Sequence, residues 1–276
     1  IRSGDRQAGR TPRTLTDVDF LLGVSDFTRQ GALRYADRAG GPFREPDHEV
    51  PRLVELPTLM RAADVVARDE EDQAAIKTLL DAGTGSLGGA RPKASVRDGG
   101  QLLIAKFAHP HDSWDVMGWE KTALDLAQAA GISVPKSRLI TIDGRHALLV
   151  QRFDRTSTGR IGYISAMTLL GAADGEARDY LEVAEAMSAE SPTPTTDLAE
   201  LWRRVVFYCS ISNTDDHLRN LGFLRTGPGW ALAPAFDLNP NPEPGSSRQT
   251  TVGWAEPQSD ATLEALLEVR DEFGVD

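Results

Sequence analysis

From Gly83 to Asp154 the hydrophobic and polar positions read as hairpins around one helix. Lys93 to Asp98 and Gln101 to Ala108 flank the turn residues Asp98-Gly99-Gly100, and Lys136 to Ile142 and Arg145 to Phe153 flank Asp143-Gly144. Between the hairpins, Ser113 can cap a helix that ends at Gly131. Upstream, Thr58 to Ala67 and Asp72 to Leu80 read as short amphipathic helices. Beyond Thr156 the texture turns helical. From Leu198 to Ile211 a 3.6-residue period puts Leu198, Leu201, Trp202, Val205, Val206 and Cys209 on one face, opened by Asp197 and Glu200 in capping-box spacing. One more hairpin follows, Leu221 to Thr226 and Trp230 to Leu238, turning at Gly227-Pro228-Gly229. A closing helix from about Asp260 has Leu263, Leu266, Leu267 and Phe273 as its expected buried stripe. The pattern predicts an α+β chain, a small sheet-rich lobe over residues 1–153 and a mainly helical lobe over 154–276.

Composition narrows the function classes. The 276 residues, 40% hydrophobic and 26% charged, are those of an ordinary globular chain. Uncharged apolar runs such as Leu102 to Ala105 fall far short of the ~18–20 residues that a bilayer crossing needs. A net charge of −11 disfavours direct contact with nucleic-acid backbones or anionic lipid. The single cysteine, Cys209, excludes an internal disulfide and a cysteine-based zinc site, and suits the cytoplasm. Because the chain opens on Ile1 and stops inside an expected helix, the reading is of a segment of a longer protein.

Several residues break the plain core pattern. Lys106 falls on the same strand face as Leu102 and Ile104, where a lysine is either an edge-strand gatekeeper or a functional cation. Glu120 lies on the apolar stripe of its helix with Met117, Leu124 and Ala127, which makes it a boundary residue or a buried carboxylate in need of a cation. Pairing Lys106 with Glu120 would relieve both anomalies. The stretch SNTDDHLRN, Ser212 to Asn220, reads by default as an Asn/Asp-rich turn. It also sets Asp215 and Asn220 in Asp-x4-Asn relation, the spacing of kinase catalytic loops. Asp237, one hairpin later, would supply a second hard oxygen ligand for Mg²⁺. The glycine-rich run GTGSLGGARPK, Gly83 to Lys93, offers backbone N–H groups to phosphate or serves as a flexible linker. It fails as a dinucleotide fingerprint because a strand follows it and a helical stretch precedes it.

In this order the pieces resemble the HipA family of serine/threonine kinase toxins from type II toxin–antitoxin modules. The resemblance runs from about Leu15 to Pro242 and is densest in FLLGVSDFTRQGALRY, GSLGGARPKA, LLIAKF, ALLVQRFDR, SNTDDHLRNLGFL and LAPAFDLNP. It implies a bilobal protein-kinase-like fold that uses ATP and Mg²⁺. Gly88, Gly89, Ala90, Arg91, Pro92 and Lys93 would form the phosphate-covering loop, Lys106 would contact the ATP phosphates, and Glu120 would hold it. Gln151, Arg152 and Phe153 would form the hinge against adenine, with His217 near the nucleotide. Asp215 would be the catalytic carboxylate and Asn220 and Asp237 the Mg²⁺ ligands. Ser86 falls where the family has its autophosphorylated serine. Implied partners are a DNA-binding HipB-like antitoxin, with DNA reached only through it, and a protein substrate, an aminoacyl-tRNA synthetase in the best-known relatives. Gln151 replaces a common acidic residue and Ser212 a usual glycine. Two rival readings remain: an inactive kinase-like module that docks the antitoxin, and a phosphohydrolase with Asp215, Asp216 and His217 as metal ligands.

Overall fold

The computed structural model describes residues 14, 16–43, 50–68, 72–84, 87, 91–176, 178–243, 248–253 and 262–275. The chain divides into two compact units, Ile1–Met117 with Arg138–Arg152, and Gly118–Ser137 with Phe153–Asp276. The units interleave along the sequence.

The first unit opens with α1 (Asp17–Gly23), α2 (Leu56–Ala67) and α3 (Gln73–Asp81). Pro57 in the first turn of α2 suits a position whose N–H has no helical partner, and the helix buries Leu56, Leu59, Met60, Ala62 and Ala63 along one face. At α3 the Asp72 carboxylate caps the helix, accepting from the backbone N–H groups of Ala74 and Ala75 at 2.8 and 3.1 Å. Strands β1 (Lys93–Asp98), β2 (Gln101–Phe107), β3 (Ser137–Ile142) and β4 (Arg145–Gln151) form a four-stranded sheet in the order β1-β2-β4-β3. Both expected hairpins are present. Asp143 and Gly144 turn the second with φ of 49° and 78°, the doubly left-handed geometry that a two-residue hairpin loop needs. Ala94, Val96, Leu103, Ala105, Phe107, Ala147 and Leu149 pack with Leu59, Met60 and Leu79 in one core.

In the second unit, α4 (Val116–Ala129) begins in the chain just before the boundary. It starts three residues after the expected Ser113 cap, and Gly131, at φ 79°, follows its end as expected. Strand β5 (Tyr163–Ser165) joins β6 (Gly222–Thr226) and β7 (Gly229–Leu232) in a sheet of order β5-β6-β7. Helices α5 (Ala166–Leu169), α6 (Tyr180–Glu190), α7 (Pro194–Ser210) and α8 (Leu263–Glu268) complete the unit.

Four expectations are corrected in this unit. Helix α7 starts at Pro194, so Asp197 and Glu200 form no capping box; Asp197 accepts from Ser191 Oγ at 2.6 Å and Glu200 from the Ser133 N–H at 2.9 Å. Its buried face centres on Leu201, Arg204, Val205 and Tyr208, with Arg204 held by Glu200 at 2.7 Å, while Val206 and Cys209 are only half-buried. Strand β7 stops at Leu232: the Ala233 N–H still donates to Gly222 O at 2.9 Å, but Pro234 has no N–H, and the Ala235 N–H donates to Ser133 O at 2.8 Å. Near the end of the chain Leu266 and Phe273 are buried, the latter with its ring 5.3 Å from that of Trp202, but Leu267 is 47% exposed. Among the described residues no helix is long and apolar enough to cross a membrane.

Candidate active site

The residues singled out from the sequence fall into two groups, one in each unit. In the first, strand alternation sets Leu103, Ala105 and Phe107 into the core and turns Lys106 to the opposite face. Lys106 stands directly across from Lys93 on β1 and from Leu148 on β4. Each of the two lysines is 8% exposed. Like charges directly opposite on neighbouring strands repel, so this pair of ammonium groups is placed for negative charge beside it. Thr84 Oγ1 donates to Lys93 O at 2.7 Å, and Pro92 O accepts from the Phe107 N–H at 3.0 Å, which ties the end of the glycine-rich run to the sheet. Arg91 donates to both oxygens of Asp112, at 2.9 and 2.7 Å. Ser86, Gly88, Gly89 and Ala90 lie outside the described residues.

Gln151 closes β4 opposite Leu103. The Arg152 guanidinium is buried and donates to Thr28 O at 2.6 Å and Arg29 O at 3.3 Å, while its backbone N–H donates to Leu102 O at 3.1 Å. With the side chain committed to backbone carbonyls, what Arg152 can still offer a nucleotide is its main chain.

In the second unit Glu120 is buried on α4, and the Phe153 ring packs 5.7 Å from Phe236 and 6.2 Å from Tyr163. The loop from Ser212 to Asn220 begins on a left-handed residue, Ser212 at φ 52°, directly after the last turn of α7. Its far end closes back on itself: Asn220 Nδ2 donates to Asp215 O at 2.8 Å, and the Asn220 N–H to His217 O at 2.8 Å. The Asp215 carboxylate is half exposed, with His217 Nε2 at 3.9 Å from its Oδ1 and Gln249 Nε2 donating to that same oxygen at 3.1 Å. Asp237 is also left-handed, φ 59°, and Asn239 Nδ2 donates to its Oδ1 at 3.3 Å. The ends of the β6–β7 region meet, since Asn220 and Phe236 line one small cavity together with Tyr180, Tyr208, Asn213 and Asp216.

The neighbouring acid behaves differently. Asp216 is buried and ion-paired with Arg248, which is itself buried; it also accepts from Tyr180 Oη at 3.0 Å, and its carbonyl accepts from Thr250 Oγ1 at 2.6 Å. Burial pushes the Asp216 carboxyl above its ordinary range, and Arg248, the Tyr180 hydroxyl and the Thr250 N–H draw it back. Those donors are arranged for a carboxylate, so the pair is ionic. Burial works against the Arg248 charge as well, and Asp216, Tyr180 and Cys209 more than restore it. Desolvation first, and then Asp216, drive the Tyr180 phenol well above its usual value. This arrangement removes Asp216 from any ligand set shared with Asp215 and His217, and so overturns the phosphohydrolase reading. Among the described residues no three His, Cys, Asp or Glu side chains gather to hold a metal.

The donor set fits Mg²⁺ on other grounds. Asn220 spends its amide nitrogen on Asp215 O, which leaves the carboxamide oxygen as the ligand atom, and Asp237 adds a carboxylate; hard oxygens from few protein groups are what Mg²⁺ takes. Sequence reasoning missed Tyr180, Arg248, Gln249 and Thr250, which hold the loop from outside. No periodicity marks them, and RQTT reads as an ordinary polar turn.

A sequence model of the family described as HipA-like C-terminal domain matches residues 85–275. The chain belongs to this family. A protein of Sinorhizobium fredii (strain NBRC 101917 / NGR234), Y4dM, whose name gives it a provisional kinase assignment, is 31% identical over 137 residues, or 43% of this chain and 32% of the relative. The match therefore spans about a third of that relative's length. Among solved structures, the Shewanella oneidensis MR-1 toxin–antitoxin complex of HipA, HipB and its operator DNA contains a chain similar in fold, with TM-score 0.66 and 17% identity over 98% of this chain and 68% of that one. The Helicobacter pylori proinflammatory kinase CtkA matches at TM-score 0.47 and 22% identity over 55% of each chain. The fold is thus the α+β, kinase-like fold of HipA proteins, and in family terms the match covers the sheet with Lys93 and Lys106 as well as the loop of Asp215.

Proposed function

We propose that this HipA-family chain is the ATP-dependent serine/threonine kinase part of a toxin, transferring the γ-phosphoryl group of ATP to a protein hydroxyl. What supports the reading most is the closed Asp-x4-Asn loop, in which the Asn220 side chain fixes the backbone of Asp215 at 2.8 Å while the Asp215 carboxylate stays half exposed. In the transfer, the acceptor oxygen bonds to the γ-phosphorus, the bond from that phosphorus to the β,γ-bridging oxygen breaks, and ADP leaves. Asp215 orients the acceptor hydroxyl and takes its proton. Lys106 and Lys93 balance phosphate charge, Arg91, Pro92 and the glycine-rich run before them cover it, and Glu120 orients Lys106. Gln151, Arg152 and Phe153 border adenine through main chain and ring, with His217 beside the nucleotide. Asn220 and Asp237 would hold Mg²⁺, which would supply charge neutralisation at the phosphates. Ser86 is the proposed autophosphorylation site. A HipB-like antitoxin is the proposed partner, with operator DNA reached through it. That assignment suits a chain of charge −11, since the basic surface must then come from the partner. The proposed compartment is the cytoplasm, and the proposed lobes are residues 1–153 and 154–276.

The decisive experiment follows labelled phosphate from γ-labelled Mg-ATP into protein, with and without lysate. Asp215→Asn should abolish incorporation while leaving the melting temperature unchanged, because the side chain is half exposed. Retained transfer would end the assignment of Asp215. Nucleotide-dependent thermal stabilisation without any turnover in the wild type would favour the antitoxin-docking module instead.

A further inference from the structure

We propose that Gln249 is a positioning residue for Asp215, mounted on a strap of residues 248–251 that grips the catalytic loop from outside. The inference rests on the kinase reading of Asp215. Side chains of the strap alternate in their targets. Arg248 and Thr250 go to the buried Asp216, and Gln249 between them goes to the half-exposed Asp215. The loop alternates in the same sense, with Asp216 buried and Asp215 turned out. The strap is anchored at its far end, where Thr251 bridges to Asp179 and accepts from the Tyr180 N–H at 3.1 Å. Tyr180 in turn donates its hydroxyl to Asp216 at 3.0 Å. The strap and the loop are therefore joined by a buried ion pair, and that joint sets where the Gln249 amide falls.

That amide has a chemical consequence. A half-exposed aspartate rotates about its Cβ–Cγ bond, and only some orientations offer a lone pair to the acceptor hydroxyl. Gln249 Nε2, at 3.1 Å, and His217 Nε2, at 3.9 Å, both face Oδ1. With Oδ1 held by the Gln249 amide, the carboxylate is fixed in one rotation toward the acceptor's proton. The role is one of orientation, which acts on turnover and not on nucleotide binding.

The test measures phosphate transfer from γ-labelled Mg-ATP to a random serine/threonine peptide library. Gln249→Ala should lower kcat about tenfold with the KM for ATP within about twofold. Gln249→Glu, which puts a like charge where the donor was, should fall further, and Gln249→Lys, which restores a donor, should recover most of the loss. Melting temperatures should stay together, because Gln249 is exposed. Crystals of Gln249→Ala should show Asp215 in more than one rotamer. Equal behaviour of the Glu and Lys variants, a loss confined to KM, or an unchanged single rotamer of Asp215 would each overturn the proposal. Asp215→Asn separates the two failures. If it abolishes transfer while Gln249→Ala keeps wild-type kcat, the strap role falls and the kinase reading stands. If Asp215→Asn retains transfer, or the wild type transfers nothing, the reading falls and the proposal with it.

Discussion

The β1–β4 sheet and the loop from Ser212 to Asn220 place their functional residues by opposite means. Lys106 is placed by backbone: a regular antiparallel ladder with β1 and β4 fixes its Cα, and period-two alternation fixes its face. The loop has no ladder. Asp215 is set by a left-handed residue at Ser212, by the Asn220 amide, by Gln249 bonding its carboxylate directly, and by Arg248 and Thr250 acting through Asp216. Backbone periodicity tolerates substitution as long as the core fills, whereas a buried polar network fails when one member is removed.

The comparison breaks most clearly at Asp216. Asp216→Ala would leave Arg248 buried without its anion and should cost about 3–5 kcal/mol in urea unfolding. Leu149→Ala, in the core under the sheet, should cost roughly 2–4 kcal/mol from the cavity it opens, with no charge left stranded. If Leu149→Ala proves the more damaging, the contrast between the two regions is wrong. Tyr180→Phe removes one donor from Asp216 and should cost about 1–2 kcal/mol at neutral pH. It also tests a pH dependence of definite sign. The folded phenol titrates above its unfolded value of about 10, so its contribution is full below that pH and is lost as the pH rises through and beyond it. Thermal melts of the wild type should therefore decline above about pH 10, and those of Tyr180→Phe should decline less steeply. Smallest of all, Arg138→Ala breaks an exposed pair with Asp98 on the sheet's surface and should shift stability by less than about 1 kcal/mol, and less still in high salt.

The same contrast explains what could be read from the sequence. The hairpins were legible because Asp98-Gly99-Gly100 and Asp143-Gly144 are turn chemistry between alternating strands, and the sheet realises both. Lys106 and Glu120 stood out because each breaks an apolar pattern, and both are buried. Spacing alone picked out Asp215 and Asn220. It misjudged Asp216, treating it as a candidate ligand equal to its neighbour, because burial of one of two adjacent acids depends on Arg248 and Tyr180, which are distant in sequence. The early stop of β7 was underrated: ALAPAF alternates like strand, but Ala233 makes the last bond to Gly222, Pro234 has no N–H to give, and Ala235 donates to Ser133 instead. Helix α6, from Tyr180, passed unnoticed beside the stronger period of α7.

The interleaving of the two units bears on how the chain is made. A ribosome releases β1 and β2 first, then residues 118–137 of the other unit, and only afterwards β3 and β4. Until Gln151 emerges, β2 has an open edge where β4 will pair, and the core beneath it lacks Ala147 and Leu149. The first unit therefore finishes folding only after a piece of the second has been synthesised. No single cut in the chain can release it whole, and a nascent chain stalled near residue 117 presents an apolar strand edge of the kind that chaperones and proteases find.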